Sequence, residues 1–377
     1  MKDNLKQFKN RRSFLRGSLA AGAAVAGANA LSEAKLFAAR PAPLTRGDVA
    51  ILRFLAAAEL IETDLWQQYA ELGGLTPGQP PVETFPDDAP FMPMNSYQAA
   101  LMNLDPDGPQ YISSNTIDEQ SHAAFLNAYL TQIGAQPVNL DEFRTLPSSQ
   151  ASPAQQIGRL TNLMNLTVDT SWFTRYHSTT NPDLGATFAQ AINLVNVPGI
   201  PRTNEDYDLP NIQAIANIAA FHFGFIEQGG SSLYATLSQK VSSAEVLKIT
   251  LSIGADEICH FLEWVDFSGN SVQPPLAPMA AANGLPEFPN FDASTASPGP
   301  VNPLLQTNLI FPVPCEFINS TLPKCAVIRP TSAGQIDAIG AVNAFIADGL
   351  FFGQSPSFIE ALTELAVAAD AAQRRVF

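Results

Sequence analysis

Two short stretches of this chain place a glutamate and a histidine three residues apart within apolar surroundings. They are Glu119-x-x-His122 and Glu257-x-x-His260. Residues at positions i and i+3 lie on the same face of an α-helix, so each stretch presents a carboxylate and an imidazole together. Carboxylates and neutral imidazoles are ligands that suit iron or manganese, and zinc as a further option. Two such faces turned toward each other would hold a pair of metal ions.

A site of this kind needs two more helices, each of which contributes one inward glutamate. The apolar pattern predicts them over 45–72 and 211–239. The first contains Glu59 and Glu62 on adjoining parts of one face, and either is a candidate ligand. The second contains Glu227 as its only acid. Because an unpaired buried carboxylate is costly, acids in such apolar helices need a partner.

The helices that carry the two motifs are predicted over 115–133 and 242–267, each ended by a glycine. Residues 75–110 are rich in Pro, Asp and Asn and predict a long crossover loop with one short helix near 96–104. A Ser-Pro pair with a glutamine two residues later predicts an inserted packing helix over 153–176.

The chain after the fourth long helix has a different composition. Residues 268–330 are Pro-rich and predict an irregular wrap or linker, and 332–350 and 355–375 are predicted to be helical. We therefore expect a helical domain over 45–267 and a partly helical extension over 268–377.

The other histidines and the cysteines support separate predictions. His222 is expected to be a hydrogen-bonded core residue and His177 a surface or loop residue. Cys259 is expected to be buried as a small apolar side chain. Cys315 and Cys325 lie in the Pro-rich region, and a disulfide between them is predicted if the chain is exported.

The N-terminus has the features of an export signal. Residues 10–16 read Asn-Arg-Arg-Ser-Phe-Leu-Arg, precede a Gly/Ala-rich apolar run, and resemble a bacterial twin-arginine signal. Cleavage is expected after Ala30 or Ala39. The resemblance implies contact with the twin-arginine machinery and a periplasmic or secreted protein, and no later stretch is long and apolar enough to span a membrane.

The charge of the chain excludes several classes of partner. The net charge is −15, and removal of residues 1–30 leaves 14 basic and 34 acidic residues, a net charge of −20. Nucleic acid and anionic membrane surfaces are therefore poor partners.

The order of these residues along the chain resembles the ferritin-like di-iron carboxylate superfamily. The spacing of 30 residues between Glu227 and Glu257, and the first-helix pattern Glu59-x-x-Glu62-x-Asp64, are similar to an exported, desiccation-related subgroup. The resemblance covers 45–267 and implies an all-α fold, a ferritin-like four-helix bundle with a long crossover. Family ligand positions are matched by Glu59, Glu119, His122, Glu227, Glu257 and His260.

The resemblance also implies a function. Two iron ions, or alternatively manganese, would be bridged by Glu119 and Glu257, while His122 and His260 each bind one ion. The chain would then be an exported di-metal oxidoreductase that acts on ferrous iron, oxygen or peroxide. The alternative is a non-catalytic stress- or desiccation-associated protein in which the bundle is a scaffold. The inserted helix and the long extension depart from the family pattern and do not favour assembly into a storage cage.

Overall fold

Most of the residues that the structure describes are helical, which confirms the predicted helical class. The computed structural model describes residues 44–75, 93–177, 188–291, 312–313, 318–319, 321–326 and 336–375. The α-helices of this part of the chain are α1 (Arg46–Gly73), α2 (Ser96–Leu104), α3 (Gly108–Gln132), α4 (Ser171–Tyr176), α5 (Asn211–Ser238), α6 (Ala244–Asn270), α7 (Ala338–Ala347) and α8 (Pro356–Asp370). The antiparallel strand pairs are β1 (Leu166–Val168) with β2 (Leu194–Val197), and β3 (Pro312–Val313) with β4 (Cys325–Ala326).

The ends of the long helices follow from capping chemistry. Thr45 accepts a hydrogen bond from the Asp48 N–H at 3.0 Å, and the Asp48 carboxylate accepts one from the Thr45 N–H at 3.0 Å, which forms a capping box at the start of α1. Ser243 caps α6, one residue after the predicted Ser242. α3 begins at Gly108, seven residues before the predicted start, because Pro109 suits the first turn of a helix.

Contacts along α1 and α3 show that these two helices are antiparallel. The Thr116 hydroxyl of α3 donates to the Trp66 carbonyl of α1 at 3.2 Å. About two helical turns further along, His122 of α3 lies 3.4 Å from Glu59 of α1. Between these two contacts the residue numbers increase along α3 and decrease along α1, so the two helices run in opposite directions.

α1 and α5 are also antiparallel, since Glu227 contacts Trp66 and Tyr234 contacts Glu59. It follows that α3 and α5 run in the same direction. The connection between them, residues 133–210, must therefore travel the length of the long helices. The long crossover is thus between the second and third long helices, whereas we predicted it between the first and second.

The predicted inserted helix over 153–176 is wrong for most of its length, because only α4 at its end is helical. Tertiary hydrogen bonds replace the helical ones: the N–H groups of Leu160 and Thr161 donate to the buried Asp64 carboxylate, each at 3.0 Å. Arg144 donates to the other oxygen of Asp64 at 2.6 Å. Asp64 therefore anchors the connection to α1, away from the predicted metal ligands.

The C-terminal helices pack on the long helices. α8 packs on α1, and α7 packs on α8 and α5. Ser355 caps α8, and the Lys240 ammonium at the end of α5 donates to Asp370 at 2.7 Å. All the described residues belong to one compact unit, Leu44–Phe377. None of the helices described is long and apolar enough to cross a membrane.

Two predictions on cysteines have different outcomes. Cys259 is exposed on the outer face of α6, so the predicted burial is wrong: the position lies about 100° around the helix from the inward His260. Cys325 is an exposed free thiol, and its predicted partner Cys315 lies outside the described residues, as does the predicted signal over 1–30. The described part of the chain does not show the predicted disulfide.

Candidate metal centre

The two Glu-x-x-His motifs face each other across α3 and α6. His122 and Glu119 are buried on the inner face of α3, and the His122 Nδ1 atom lies 3.4 Å from the Glu119 carboxylate. The same nitrogen lies 3.4 Å from Glu59 of α1 and 3.8 Å from Glu257 of α6. One imidazole therefore faces carboxylates from three helices.

The second imidazole has a matching environment. The His260 Nδ1 atom lies 3.2 Å from Glu119 of α3 and 3.3 Å from Glu227 of α5. Glu257 also belongs to this group, whose ligand atoms all lie within 4.8 Å of one another. Glu119 and Glu257 thus occur in both groups, and the groups form one cluster with two halves. We refer to it as the carboxylate cluster: Glu59, Glu119, His122, Glu227, Glu257 and His260.

All six residues that the sequence singled out are therefore brought together by the fold. The sequence left two candidate ligands on the first long helix, Glu59 and Glu62. Glu59 lies in the first group of potential ligands, whereas Glu62 lies in neither group. Glu62 is buried beside the cluster.

The chemistry of the cluster fits a metal pair. Buried carboxylate oxygens normally accept hydrogen bonds, but four in the cluster accept none with hydrogen-bond geometry from the described residues, and the nearest nitrogens are the histidine Nδ1 atoms given above. They are Glu59 Oε2, Glu119 Oε1, Glu257 Oε1 and Glu257 Oε2. Two divalent ions would balance the charge of the four carboxylates and give these oxygens partners. Half of the eight carboxylate oxygens of the cluster are thus available to a cation.

Electrostatics in the cluster show the same excess of negative charge. Burial raises the pKa of Glu119 to about 8, with a further contribution from Glu59. Burial and the repulsion of Glu119 raise the pKa of Glu257 well above its ordinary value. For His122, burial lowers the pKa, but the neighbouring carboxylates Glu119 and Glu59 raise it to about 10. The raised pKa values of the carboxyls and the imidazole share one cause, which is the close packing of buried carboxylates.

Two aspartates that the sequence reasoning did not single out hold the outer edges of the imidazoles. The Nε2 atom of His122 lies 3.2 Å from Asp256 of α6, and that of His260 lies 3.4 Å from Asp118 of α3. Each aspartate thus contacts the histidine of the opposite motif. A carboxylate in this position fixes the ring and raises its basicity as a ligand. The signal was present, since an Asp directly precedes the Glu of both motifs.

Two aromatic side chains hydrogen-bond to the single-helix glutamates. The Tyr234 hydroxyl donates to Glu59, and the Trp66 indole N–H donates to Glu227 at 2.9 Å. Gly230 of α5 gives Glu257 room, because a Cβ at that position would collide with the Glu257 carboxylate. These contacts orient the carboxylates of Glu59 and Glu227 and leave room for that of Glu257.

The remaining two histidines are part of the core. The His222 Nδ1 atom lies 2.8 Å from the Tyr69 hydroxyl and its Nε2 atom 3.1 Å from Asp348, which confirms the predicted hydrogen-bonded core residue. His177 is buried, so its predicted surface position is wrong. Its Nδ1 atom lies 2.8 Å from the Phe173 carbonyl, which satisfies the ring inside the protein.

Comparisons of this chain with protein-family models, with curated proteins and with solved structures gave no match. The resemblance to the ferritin-like superfamily therefore rests on the residues and the geometry described above.

Proposed function

We propose that this chain is a ferritin-like di-metal carboxylate protein in which the carboxylate cluster holds two metal ions. The observation that carries the proposal is a set of four buried glutamates around two imidazoles, in which four carboxylate oxygens accept no hydrogen bond from the described residues. The directions of α1, α3, α5 and α6, with the crossover between the second and third, add support because they suit a four-helix bundle of this type.

In this proposal each helix has a defined contribution. Glu119 and Glu257 would be shared between the two ions, because each belongs to both groups of potential ligands. Glu59 and His122 complete one half, and Glu227 with His260 completes the other. Hard carboxylate oxygens with one imidazole per ion suit iron, or alternatively manganese.

We further propose that the loaded protein is redox-active toward ferrous iron, oxygen or peroxide. When bound, a pair of iron or manganese ions would supply electron transfer with these small molecules. The protein positions the ligands, excludes water around them and holds both imidazole rings through Asp118 and Asp256. A low-dielectric site of this kind strengthens each electrostatic contact.

The test of this function uses the full chain loaded with two equivalents of ferrous iron or manganese. We expect faster oxidation of ferrous iron than in buffer, or consumption of peroxide, and loss of both in Glu119→Gln with Glu257→Gln. His222→Gln serves as the matched control, because it also removes a buried imidazole. Loaded protein that binds metal but shows neither reaction would support the non-catalytic scaffold instead.

We propose that the protein is exported through the twin-arginine route to the periplasm or the medium. The support is the Arg-Arg pair and the apolar run that follows it. Replacement of Arg11 and Arg12 by lysine is expected to leave the protein in the cytoplasm, as measured by cell fractionation. Unchanged export of that variant would contradict the proposal.

A further inference from the structure

A small cavity lies beside the carboxylate cluster, on the side of α5. It has a volume of about 70 Å³ and lies between α1, α5 and α7. Glu62 of α1 and Gly230 of α5 form part of its wall. Because Gly230 is in direct contact with the Glu257 carboxylate, the cavity shares this wall with the cluster.

The size of the cavity limits what it can hold. A water molecule takes up about 30 Å³ in the liquid, so the cavity has room for about two water-sized groups. A ligand of two heavy atoms fits this volume. Hydrogen peroxide and dioxygen are both of this size, and both belong to the small oxidants of the proposed function.

The chemistry of the walls distinguishes these two molecules. The lining of the cavity combines polar and apolar side chains. It includes the guanidinium of Arg175, the carboxyls of Glu62 and Asp169, the amide of Gln228, and the apolar Leu233 and Phe345. Peroxide both donates and accepts hydrogen bonds and can use the polar groups, whereas dioxygen gains little from them. The walls therefore favour the polar molecule.

Gly229 is a helical glycine on the wall of the cavity, where the described residues leave space for a side chain. It lines the cavity, and a Cβ built at this position would meet no atom of the described residues within 4 Å. Glycine inside a helix is unfavourable relative to alanine. Gly230 has a steric reason, the contact with Glu257, but Gly229 has none. The missing side chain at Gly229 instead leaves the cavity open.

We propose that this cavity is a binding site for hydrogen peroxide, which it holds next to the carboxylate cluster, and that Gly229 keeps it open. The inference rests on the proposed redox function, because peroxide would be the substrate of that same centre.

The binding step is tested on the full chain without metal, so that it does not depend on the redox function. Millimolar peroxide is added, and the amide NMR signals of Gly229, Gly230 and the Gln228 side chain are followed. We expect saturable shifts of these signals in the wild type and their loss in Gly229→Leu. Gly229→Ala, which adds less volume, is expected to give a smaller effect and guards against misfolding of the leucine variant.

Gly269→Ala is the matched control, because Gly269 is also a helical glycine with room for a Cβ and does not line the cavity. It is expected to keep the wild-type shifts. If xenon shifts the same signals and peroxide does not, the cavity is an apolar gas pocket and the proposal fails. It also fails if neither molecule shifts them in the wild type, because the cavity then holds water only.

The second arm uses manganese-loaded protein. In Gly229→Leu we expect the metal content to stay at the wild-type value and the KM for peroxide to rise at least about tenfold, with little change in kcat. An unchanged KM would overturn the inference. If loaded wild-type protein consumes no peroxide, the proposed activity toward peroxide fails, and the NMR arm still decides whether the cavity binds peroxide.

Discussion

Two buried histidine environments in this protein look alike in composition and differ in their balance of charge. In the first, His222 contacts the Tyr69 hydroxyl with one ring nitrogen and Asp348 with the other. In the second, the carboxylate cluster, two imidazoles face four glutamates, and four of the glutamate oxygens accept no hydrogen bond from the described residues. Burial of a histidine with a carboxylate is therefore not itself a sign of metal binding. Asp348 Oδ1 also accepts no hydrogen bond from the described residues, so the sign is the ratio of charges: one carboxylate to one imidazole around His222, and four carboxylates to two imidazoles in the cluster.

The largest effect is expected from Glu257→Gln, which removes one of the two shared carboxylates. Without metal the variant should be more stable than the wild type, by about 2 kcal/mol, because a repelling buried carboxyl is replaced by an amide. With metal at a hundredfold excess over Kd, the wild type should gain about 3 kcal/mol per ion and the variant far less. Chemical denaturation with and without manganese measures both. If Glu257→Gln were less stable than the wild type by the same amount with and without manganese, the cluster would behave like the His222 environment, which would contradict the prediction.

A second prediction concerns the balanced environment. Asp348→Ala removes the partner of the buried His222 Nε2 atom, and we expect a loss of about 3 kcal/mol in the free energy of unfolding. The metal content should not change. Asp348→Asn keeps the shape and should cost less. Loss of metal from either variant would show that the two environments are coupled.

A third prediction sharpens the comparison with His177, which has no carboxylate partner among the described residues. Burial lowers the pKa of His177 to about 4, whereas an exposed histidine has a pKa of 6.5. Between these values the unfolded chain binds a proton and the folded chain does not. Stability is therefore fully present above pH 6.5 and falls as the pH decreases toward 4, by about 3 kcal/mol from this residue.

His177→Gln should show a shallower loss of stability over this pH range than the wild type, as measured by urea denaturation at pH 7 and pH 4.5. Parallel curves for the two proteins would contradict the assignment of the acid sensitivity to His177.

The smallest effect is expected from the aspartates at the outer edge of the cluster. Asp256→Asn should weaken metal binding by about 10- to 100-fold without changing the number of ions, because Asp256 orients the His122 ring and does not need to bind the ion. Competition with a chelator of known affinity measures the change. Glu287 is an exposed acid outside the helices, and Glu287→Gln controls for the change in net charge.

The predictability of the fold differs between its parts for physical reasons. α1 and α5 could be predicted nearly to the residue, because local signals set their ends: the Thr45 capping box and the proline before Asn211. Residues 153–170 could not, because their apolar spacing is satisfied by burial without a helix. Their backbone bonds go to Asp64 and to the C-terminal segment, as in the Asn162 N–H bond to the Leu350 carbonyl at 2.7 Å. Only the tertiary structure contains those partners.

The site shows the same division. The six cluster residues could be found because a glutamate and a histidine three residues apart share a helical face whatever the surrounding fold. The roles of Asp118 and Asp256 depend on which helix lies opposite, and each contacts the motif to which it does not belong. The choice of Glu59 over Glu62 likewise required the rotation of α1 against α3, which packing decides.

The central claim is that the excess of buried carboxylates is there to bind two metal ions. Native mass spectrometry of the full chain, loaded anaerobically with ferrous iron and then desalted, measures this directly. We predict two ions per chain in the wild type and in His222→Gln, and none in Glu119→Gln with Glu257→Gln. A wild-type chain without bound metal, or a double variant that still binds two ions, would contradict the account.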